Sequence, residues 1–496
     1  MGIRFDFLRR ADTGSFTRPD NFDRNLIVIG GGSAGLVTSY LAAAMKAKVT
    51  LVEAHRMGGD CLYTGCVPSK SLLRTAKFLH DVKRSEALGV HTASAAFDFA
   101  DVMARVRRII ARIEPHDSPE RYEGLGVECI QGTARIESPW CVSIDDRRLT
   151  TRAIVIATGG RPFVPPVDGL VEDDYVTSET LWDLETQPER FVVLGGGPIG
   201  CEMAQAFARL GSRVTLVEME DRLLLMEDTE VSARVRQALE ADGVQVLTGH
   251  RAEAVVPGDA GRALRCTANG AEVALDFDKI LVAVGRRANT QGLGLDTLGI
   301  ETERSGTIPV DEHLHTGVGA VYACGDVIGP YQFTHSAAHE AFYCAVNALF
   351  GDLYRMPVDY SALPWTTFVD PEVAHLGLNE QQARAEGIPY DVTVHDLDGL
   401  DRALAEEEGG GFVKILTQPG KDRILGVTIV AAHAGDLMAE FVLAKNAGLG
   451  LGKILGTIHS YPTLAEANKL AAGTWRRARQ PKLALKFLER WHRWRR

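Results

Sequence analysis

The chain has 496 residues, 45% hydrophobic and 24% charged, an ordinary soluble globular composition with enough length for about three domains. A net charge of −11 excludes a general affinity for nucleic acid, whose phosphates need a basic surface, and no nucleic-acid-binding motif occurs. Eight cysteines in so long a chain, without a secretion signal in residues 1–21, predict a reducing compartment, with the cytoplasm as the expected location.

In chain order, residues 1–24 read as a short extension. Residues 26–45 carry no charge and would score as a membrane span, but their glycines argue otherwise. Leu26-Ile27-Val28-Ile29 predicts a short buried strand, Gly30-Gly31-Gly32-Ser33-Ala34-Gly35 a turn, and residues 36–45 a helix. A second strand, Val49-Thr50-Leu51-Val52, then leads to Glu53. Gly30-x-Gly32-x-x-Gly35 in this setting is the full dinucleotide fingerprint. The first glycine allows the turn, the second lets backbone approach a pyrophosphate, and the third permits close helix–strand packing. Ser33 and Ala34 open the helix whose N-terminus receives the phosphates, and Glu53 is placed to accept hydrogen bonds from a ribose.

Next comes Gly58-Gly59-Asp60-Cys61-Leu62-Tyr63-Thr64-Gly65-Cys66-Val67-Pro68-Ser69-Lys70. Gly65 permits a tight backbone, Pro68 suits an early helical position, and Lys70 adds a cation one turn beyond Cys66. A helix start of this kind lowers a thiol pKa. Cys61 and Cys66 are therefore expected to form a redox pair, with a structural disulfide or a metal site as the alternatives. A four-ligand zinc site would need two more clustered Cys or His residues, and none lies at a suitable spacing, so no metal is expected.

The same unit recurs as Val192-Val193-Leu194-Gly195-Gly196-Gly197-Pro198-Ile199-Gly200, a helix, and Val214-Thr215-Leu216-Val217-Glu218, with 23 positions from Gly195 to Glu218 as from Gly30 to Glu53. Two such sites imply two cofactors. With cysteines after the first, electrons are expected to run from a nicotinamide to a flavin to sulfur. A carboxylate at Glu218 welcomes a free 2′-hydroxyl and repels a 2′-phosphate, which favours NADH over NADPH, although Arg222 nearby pulls the other way.

Together with Ala157-Thr158-Gly159-Gly160-Arg161-Pro162, Ala283-Val284-Gly285-Arg286-Arg287-Ala288-Asn289 and Tyr322-Ala323-Cys324-Gly325-Asp326, these motifs make residues 25–472 resemble the FAD-dependent pyridine nucleotide–disulfide oxidoreductases. That class includes dihydrolipoamide dehydrogenase, glutathione reductase and mercuric reductase. The resemblance implies an α/β fold with two Rossmann-like dinucleotide-binding domains, for FAD and NAD, and a C-terminal α+β dimerisation domain. Its expected division is an FAD domain in two parts, residues 25–163 and 289–358, an NAD(P) domain, 164–288, a dimerisation domain, 359–475, and a tail, 476–496. It also implies that Cys66 faces the flavin, that Cys61 is the interchange thiol, and that Lys70 lies beside the flavin ring paired with Glu202. Gly59, Ala157, Thr158, Gly159, Gly285, Arg286 and Gly325 would line the cofactor sites, with Asp326 on the ribityl chain.

The C-terminal third resembles the class's dimerisation domain, so a homodimer is expected, each active site being completed by a His-Pro-Thr-x-x-Glu segment from the other subunit. Here the segment reads His459-Ser460-Tyr461-Pro462-Thr463-Leu464-Ala465-Glu466, with tyrosine in place of the histidine base. An imidazole of pKa about 6.5 is mostly neutral at pH 7 and takes a thiol proton, whereas a phenol near pKa 10 is ionised about one part in a thousand. Tyr461 is thus a poor base that can still donate a hydrogen bond or contact a soft metal, and His459 is the alternative base. A tyrosine there resembles mercuric reductase, as does Tyr122, but no cysteine follows Cys344 to supply that enzyme's C-terminal pair, and residues 1–24 hold no cysteine for an N-terminal metal-binding domain.

The tail carries nine Lys and Arg against one acid, Glu489, with Leu483, Phe487, Trp491 and Trp494 on one helical face. Packing of that stripe on the chain's own dimerisation domain is the favoured expectation, and an anionic membrane or an acidic partner the alternative. The leading functional reading is an NADH-dependent flavin enzyme acting through Cys61 and Cys66 on a small disulfide, dithiol or soft-metal substrate. A dihydrolipoamide dehydrogenase is the first alternative, and a flavin-bearing redox sensor or membrane-docked partner with little turnover the second.

Overall fold

A computed structural model of the chain describes residues 16–259 and 261–496, so most of the N-terminal extension lies outside the described residues. Two compact units form. The first takes in the described residues up to 79, then 95–219 and 249–359; the second consists of 80–94, 220–248 and 360–496.

In the first unit, β1 (Arg24–Ile29), α1 (Ser33–Ala44), β2 (Val49–Glu53), α2 (Gly59–Tyr63), α3 (Cys66–Lys83), β3 (Val127–Gln131) and β4 (Arg147–Ile156) follow one another with shorter elements between them. The strands pair in parallel in the order β3-β2-β1-β4. The uninterrupted apolar run of β1 has a physical reason: both faces of the sheet are covered. Leu26 and Val28 pack in one buried cluster with Leu36 and Ala42 of α1, while Ile27 and Ile29 pack in another with Ile154, Leu293 and Ile300.

The second fingerprint folds likewise into β5 (Arg190–Leu194), α4 (Pro198–Leu210) and β6 (Arg213–Val217), and β5 also pairs in parallel with β7 (Lys279–Val282). Nearly every residue of α4 is buried, including Glu202, Gln205 and Arg209. The chain then returns to the first sheet, where β8 (Val321–Ala323) pairs in parallel with β4 and α5 (Thr334–Phe350) packs against α1. Motifs three hundred residues apart in sequence are thereby carried by one sheet.

The second unit holds an antiparallel sheet in the order Pro364–Thr367, Glu372–Gly377, Ile424–Ala431, Phe412–Thr417, Asp391–Asp396. Helix Ala434–Asn446 and α6 (Glu466–Ala478) cover it, with Leu376, Ile415, Val427, Phe441 and Trp475 in the shared core. Full burial of a side chain such as Phe441 contributes about 2 kcal/mol. Helix α6 stops before Pro481, which lacks the N–H needed to continue it, and α7 (Lys482–Arg495) begins as a separate helix. The expectation that the apolar stripe of the tail packs on its own domain fails: α7 has no buried residue, and Leu483 and Trp494 are 83% and 81% exposed. Among the described residues, no helix is long and apolar enough to cross a membrane.

Candidate active site

The redox motif folds as two helices. Cys61 lies in the short α2, and α3 opens at Cys66. The connection is tight because the Gly65 N–H reaches the Asp60 carbonyl at 2.6 Å, and a Cβ at Gly65 would meet that same oxygen at 3.0 Å. No disulfide joins the two cysteines, which hydrogen-bond to each other. That bond holds Cys66 down at about 5, and the Thr334 hydroxyl, 3.4 Å from its sulfur, and the Lys70 cation add to the effect against the cost of burial. Cys61 is pushed far up by donating the same bond. One proton fewer than two is the favoured state of such a pair, and Thr334 and Lys70 beside Cys66 favour the negative charge there.

Lys70 Nζ sits 2.9 Å from Oε2 of Glu202, a carboxylate buried on α4. The sequence separation of 132 is closed by the two dinucleotide units lying in one compact body. Beside Cys66 and Lys70 runs an open cleft of about 420 Å³ whose walls include Arg74, Arg105, Ile109 and Ile113.

Each fingerprint forms a cradle. Gly32 precedes α1 and, among the described residues, no side chain caps the helix, which leaves its first-turn amides available to an anion. Gly30 has φ +108° and lies so close to β4 that a Cβ would meet the Ala157 carbonyl at 2.3 Å. Glu53 Oε2 accepts the Gly31 N–H at 2.6 Å, and Gly59 packs onto the Gly32 Cα. At the second cradle Gly197 takes the uncapped position, Gly195 has φ +106°, and Glu218 Oε2 accepts the Gly196 N–H at 2.5 Å. Both cradles present the donors and clearance that a pyrophosphate requires, and each ends on a carboxylate suited to a ribose, so the residues fit two dinucleotides.

Around the first cradle, Thr158 Oγ1 donates to the Asn289 carbonyl at 2.7 Å, and the Ala157 N–H donates to Ile29 at 2.8 Å. Arg286 donates to the Gly160 carbonyl at 2.7 Å and forms ion pairs with Asp60 and, at 3.3 Å, with Asp326. Burial raises the Asp326 carboxyl, with Arg286 opposing. The Gly325 N–H is held at 2.7 Å by Glu340, fully buried on α5, and Gly285 has φ +147°. Sequence reasoning missed Thr334, Glu340 and the Asp60 contact. No local pattern marks Thr334, because the cysteine it touches is 268 positions away.

Residues 24–341 match the model of the pyridine nucleotide-disulphide oxidoreductase family, and residues 363–472 match the dimerisation domain of the same family. The chain belongs to this family. It is 33% identical to a mercuric reductase of Bacillus cereus over 94% of this chain and 74% of that protein. It is 35% identical to a mercuric reductase of Streptomyces lividans over 91% and 96%, and 35% identical to a dihydrolipoamide dehydrogenase of Chaetomium thermophilum over 91% and 90%. Among solved structures, LpdA of Mycobacterium tuberculosis superposes with a TM-score of 0.82 at 26% identity, covering 90% of this chain and 99% of that one. The chain is thus an FAD-dependent pyridine nucleotide–disulfide oxidoreductase, an enzyme, and its dimerisation domain supports a homodimer.

Within the family's C-terminal segment, Tyr461 is 70% exposed and its hydroxyl donates to Asp401 Oδ2 at 2.8 Å, which pushes the phenol above its usual value. Glu466 opens α6 and accepts the Thr463 N–H at 3.4 Å. His459 is tied down: its Nε2 lies 3.1 Å from both oxygens of Glu440, and its side chain is 7% exposed. Asn468, fully buried, fixes Glu440 from the other side at 2.9 Å. Tyr122 is a core residue, buried among Leu36, Leu51 and Val127 with its phenol pushed up to about 12 by burial, so it does not belong to a metal path.

Proposed function

We propose that electrons from NADH pass through this enzyme to a soft-metal ion or a small disulfide or dithiol, with Cys61 and Cys66 as the relay. The observation that carries the reading is the setting of the cysteine pair: Cys61 and Cys66 hydrogen-bond to each other at the start of α3, with the Thr334 hydroxyl 3.4 Å from the Cys66 sulfur and the Lys70 cation one turn on, all of which favour a thiolate at Cys66. When bound, FAD supplies the two-electron chemistry between the pyridine nucleotide and sulfur. The amides opening α1 bind its phosphates, Glu53 its ribose, and Asp326 its ribityl chain. Lys70, oriented by Glu202, holds positive charge beside the flavin ring and the Cys66 thiolate. Cys61, once deprotonated, faces substrate and attacks one sulfur of a substrate disulfide, releasing the other as a thiolate; Cys66 then attacks the Cys61 sulfur of the mixed disulfide, expelling the second substrate thiolate and restoring the Cys61–Cys66 disulfide.

The proton of Cys61 decides which acceptor suits the site. Thiol–disulfide interchange needs it removed, and the partner subunit's Tyr461 is too weak a base for that. A soft metal displaces thiol protons by binding, so a tyrosine that donates or ligates suffices. This ordering places lipoamide below metal acceptors, although the chain resembles enzymes of both kinds. NADH is favoured over NADPH because Glu218 occupies the ribose position, and Arg222 is committed to the Leu225 carbonyl and to Gln381 Oε1 at 2.5 Å. An anaerobic acceptor screen against NADH-reduced enzyme, with lipoamide, small disulfides, quinones, Hg(II) and Cu(II), tests the reading. Lipoamide outpacing every metal would reverse it, and normal flavin reduction without acceleration by any acceptor would favour a sensor.

A further inference from the structure

Among the described residues helix α7 has nothing packed over its apolar side, and its side chains are sorted by kind. At 100° per residue, Leu483, Trp494, Phe487, Trp491, Ala484 and Leu488 gather on one side, with Arg495 between Ala484 and Leu488, while Lys482, Arg493, Lys486 and Arg490 gather on a separate, adjoining side. Leu483, Phe487 and Trp494 are each more than two-thirds exposed, and no residue of the helix is buried. A helix of 14 residues is marginal in water without a surface to cover its apolar face. Arg495, the one cation within the apolar side, stacks over the Trp491 ring at 4.7 Å.

Charge selects the occupant. Residues 476–496 carry nine basic side chains and one acid in a chain whose net charge is −11, so the cations are concentrated at this end of an otherwise acidic protein. Indole rings beside arginines suit the headgroup level of a bilayer, where an apolar body and a polar rim are both satisfied. We propose that α7 lies in the surface of an anionic phospholipid membrane, apolar arc inward, and docks the enzyme there as a peripheral protein. The length of α7 and its charge keep it from spanning.

The test is flotation of the full-length, FAD-loaded dimer with phosphatidylcholine vesicles, with and without added phosphatidylglycerol. The expected result is binding only to the anionic vesicles, weakened by salt, with each basic residue of the arc changed to Gln lowering the partition by about fivefold. Trp491→Ser combined with Trp494→Ser, and separately removal of residues 479–496, should abolish flotation while FAD content and NADH-dependent flavin reduction stay unchanged. Absence of flotation in the intact protein would overturn the proposal, as would flotation that survives removal of the tail or that is equal on uncharged vesicles. Lipid-free assembly beyond the dimer that depends on Trp494, or protection of the tail from protease before vesicles are added, would assign α7 to a second copy or to the enzyme's own surface instead.

Discussion

Replacing Cys61 by Ala removes the hydrogen bond that contributes most to the low pKa of Cys66 and leaves Thr334 and Lys70 in place. With the thiol held at about 5, Cys66 is about 99% thiolate at pH 7, whereas an ordinary thiol of pKa about 8.5 is about 3% ionised. Because this group's pKa is depressed, its charge persists above about pH 5 and is lost as the pH falls through that value. The assay is the long-wavelength thiolate-to-flavin absorbance followed against pH. In NADH-reduced wild type it should fade with a midpoint near 5. In Cys61→Ala, where no disulfide can form, the band should be visible without NADH and its midpoint should rise by at least about one unit, a tenfold change in the thiolate ratio. Cys61→Ser keeps a donor and should fall between the two. A wild-type midpoint near 8, or one indifferent to residue 61, would refute the asymmetric pair.

Tyr461→His should raise turnover with small disulfides or lipoamide by about a hundredfold at pH 7, since about three-quarters of an imidazole is then free to take the Cys61 proton; steady-state rates unchanged from wild type would show that this position is not the base site. Gly200→Ala puts a Cβ 1.9 Å from the Gly195 carbonyl oxygen, and overpacking of that kind costs about 1–3 kcal/mol. It should weaken NADH binding, read as a raised KM, with the flavin spectrum intact. Lys414 is 2% exposed among Asp228, Glu230 and Glu380, filling the space a metal ion would otherwise take. Lys414→Met strands those carboxylates and should destabilise the second unit by about 3–5 kcal/mol. Asp228 and Glu380 are both held low with Lys414 the chief stabilising partner, so the wild-type contribution is present above the ordinary carboxylate range and is lost on acidification. Urea melts of the variant that match wild type would contradict this account.

The parts legible in the sequence were those written locally. Both strand–glycine–helix units, the helix opening at Cys66 and the amphipathic tail each announce themselves within a few turns of chain, because glycine clearance and apolar periodicity are local constraints. The pairing of Lys70 with Glu202 was reached only through the family resemblance. Contacts between distant segments with no motif of their own stayed hidden: Thr334 on Cys66, Glu340 on the Gly325 amide, and Asp60 on Arg286 depend on which helix the sheet brings alongside. Likewise, nothing in the spelling of His459-Ser460-Tyr461 reveals that Glu440 and Asn468 immobilise the histidine. The tail misled in the other direction, since an apolar stripe implies a partner without saying that the partner belongs to the same chain.

In the proposed mechanism a thiolate at residue 66 lies against the flavin. Anaerobic NADH titration of Cys66→Ser beside wild type tests it most directly: the long-wavelength band should form in wild type and be missing from the variant, which should still bind FAD and still be reduced by NADH. A band that survives in Cys66→Ser would contradict the account.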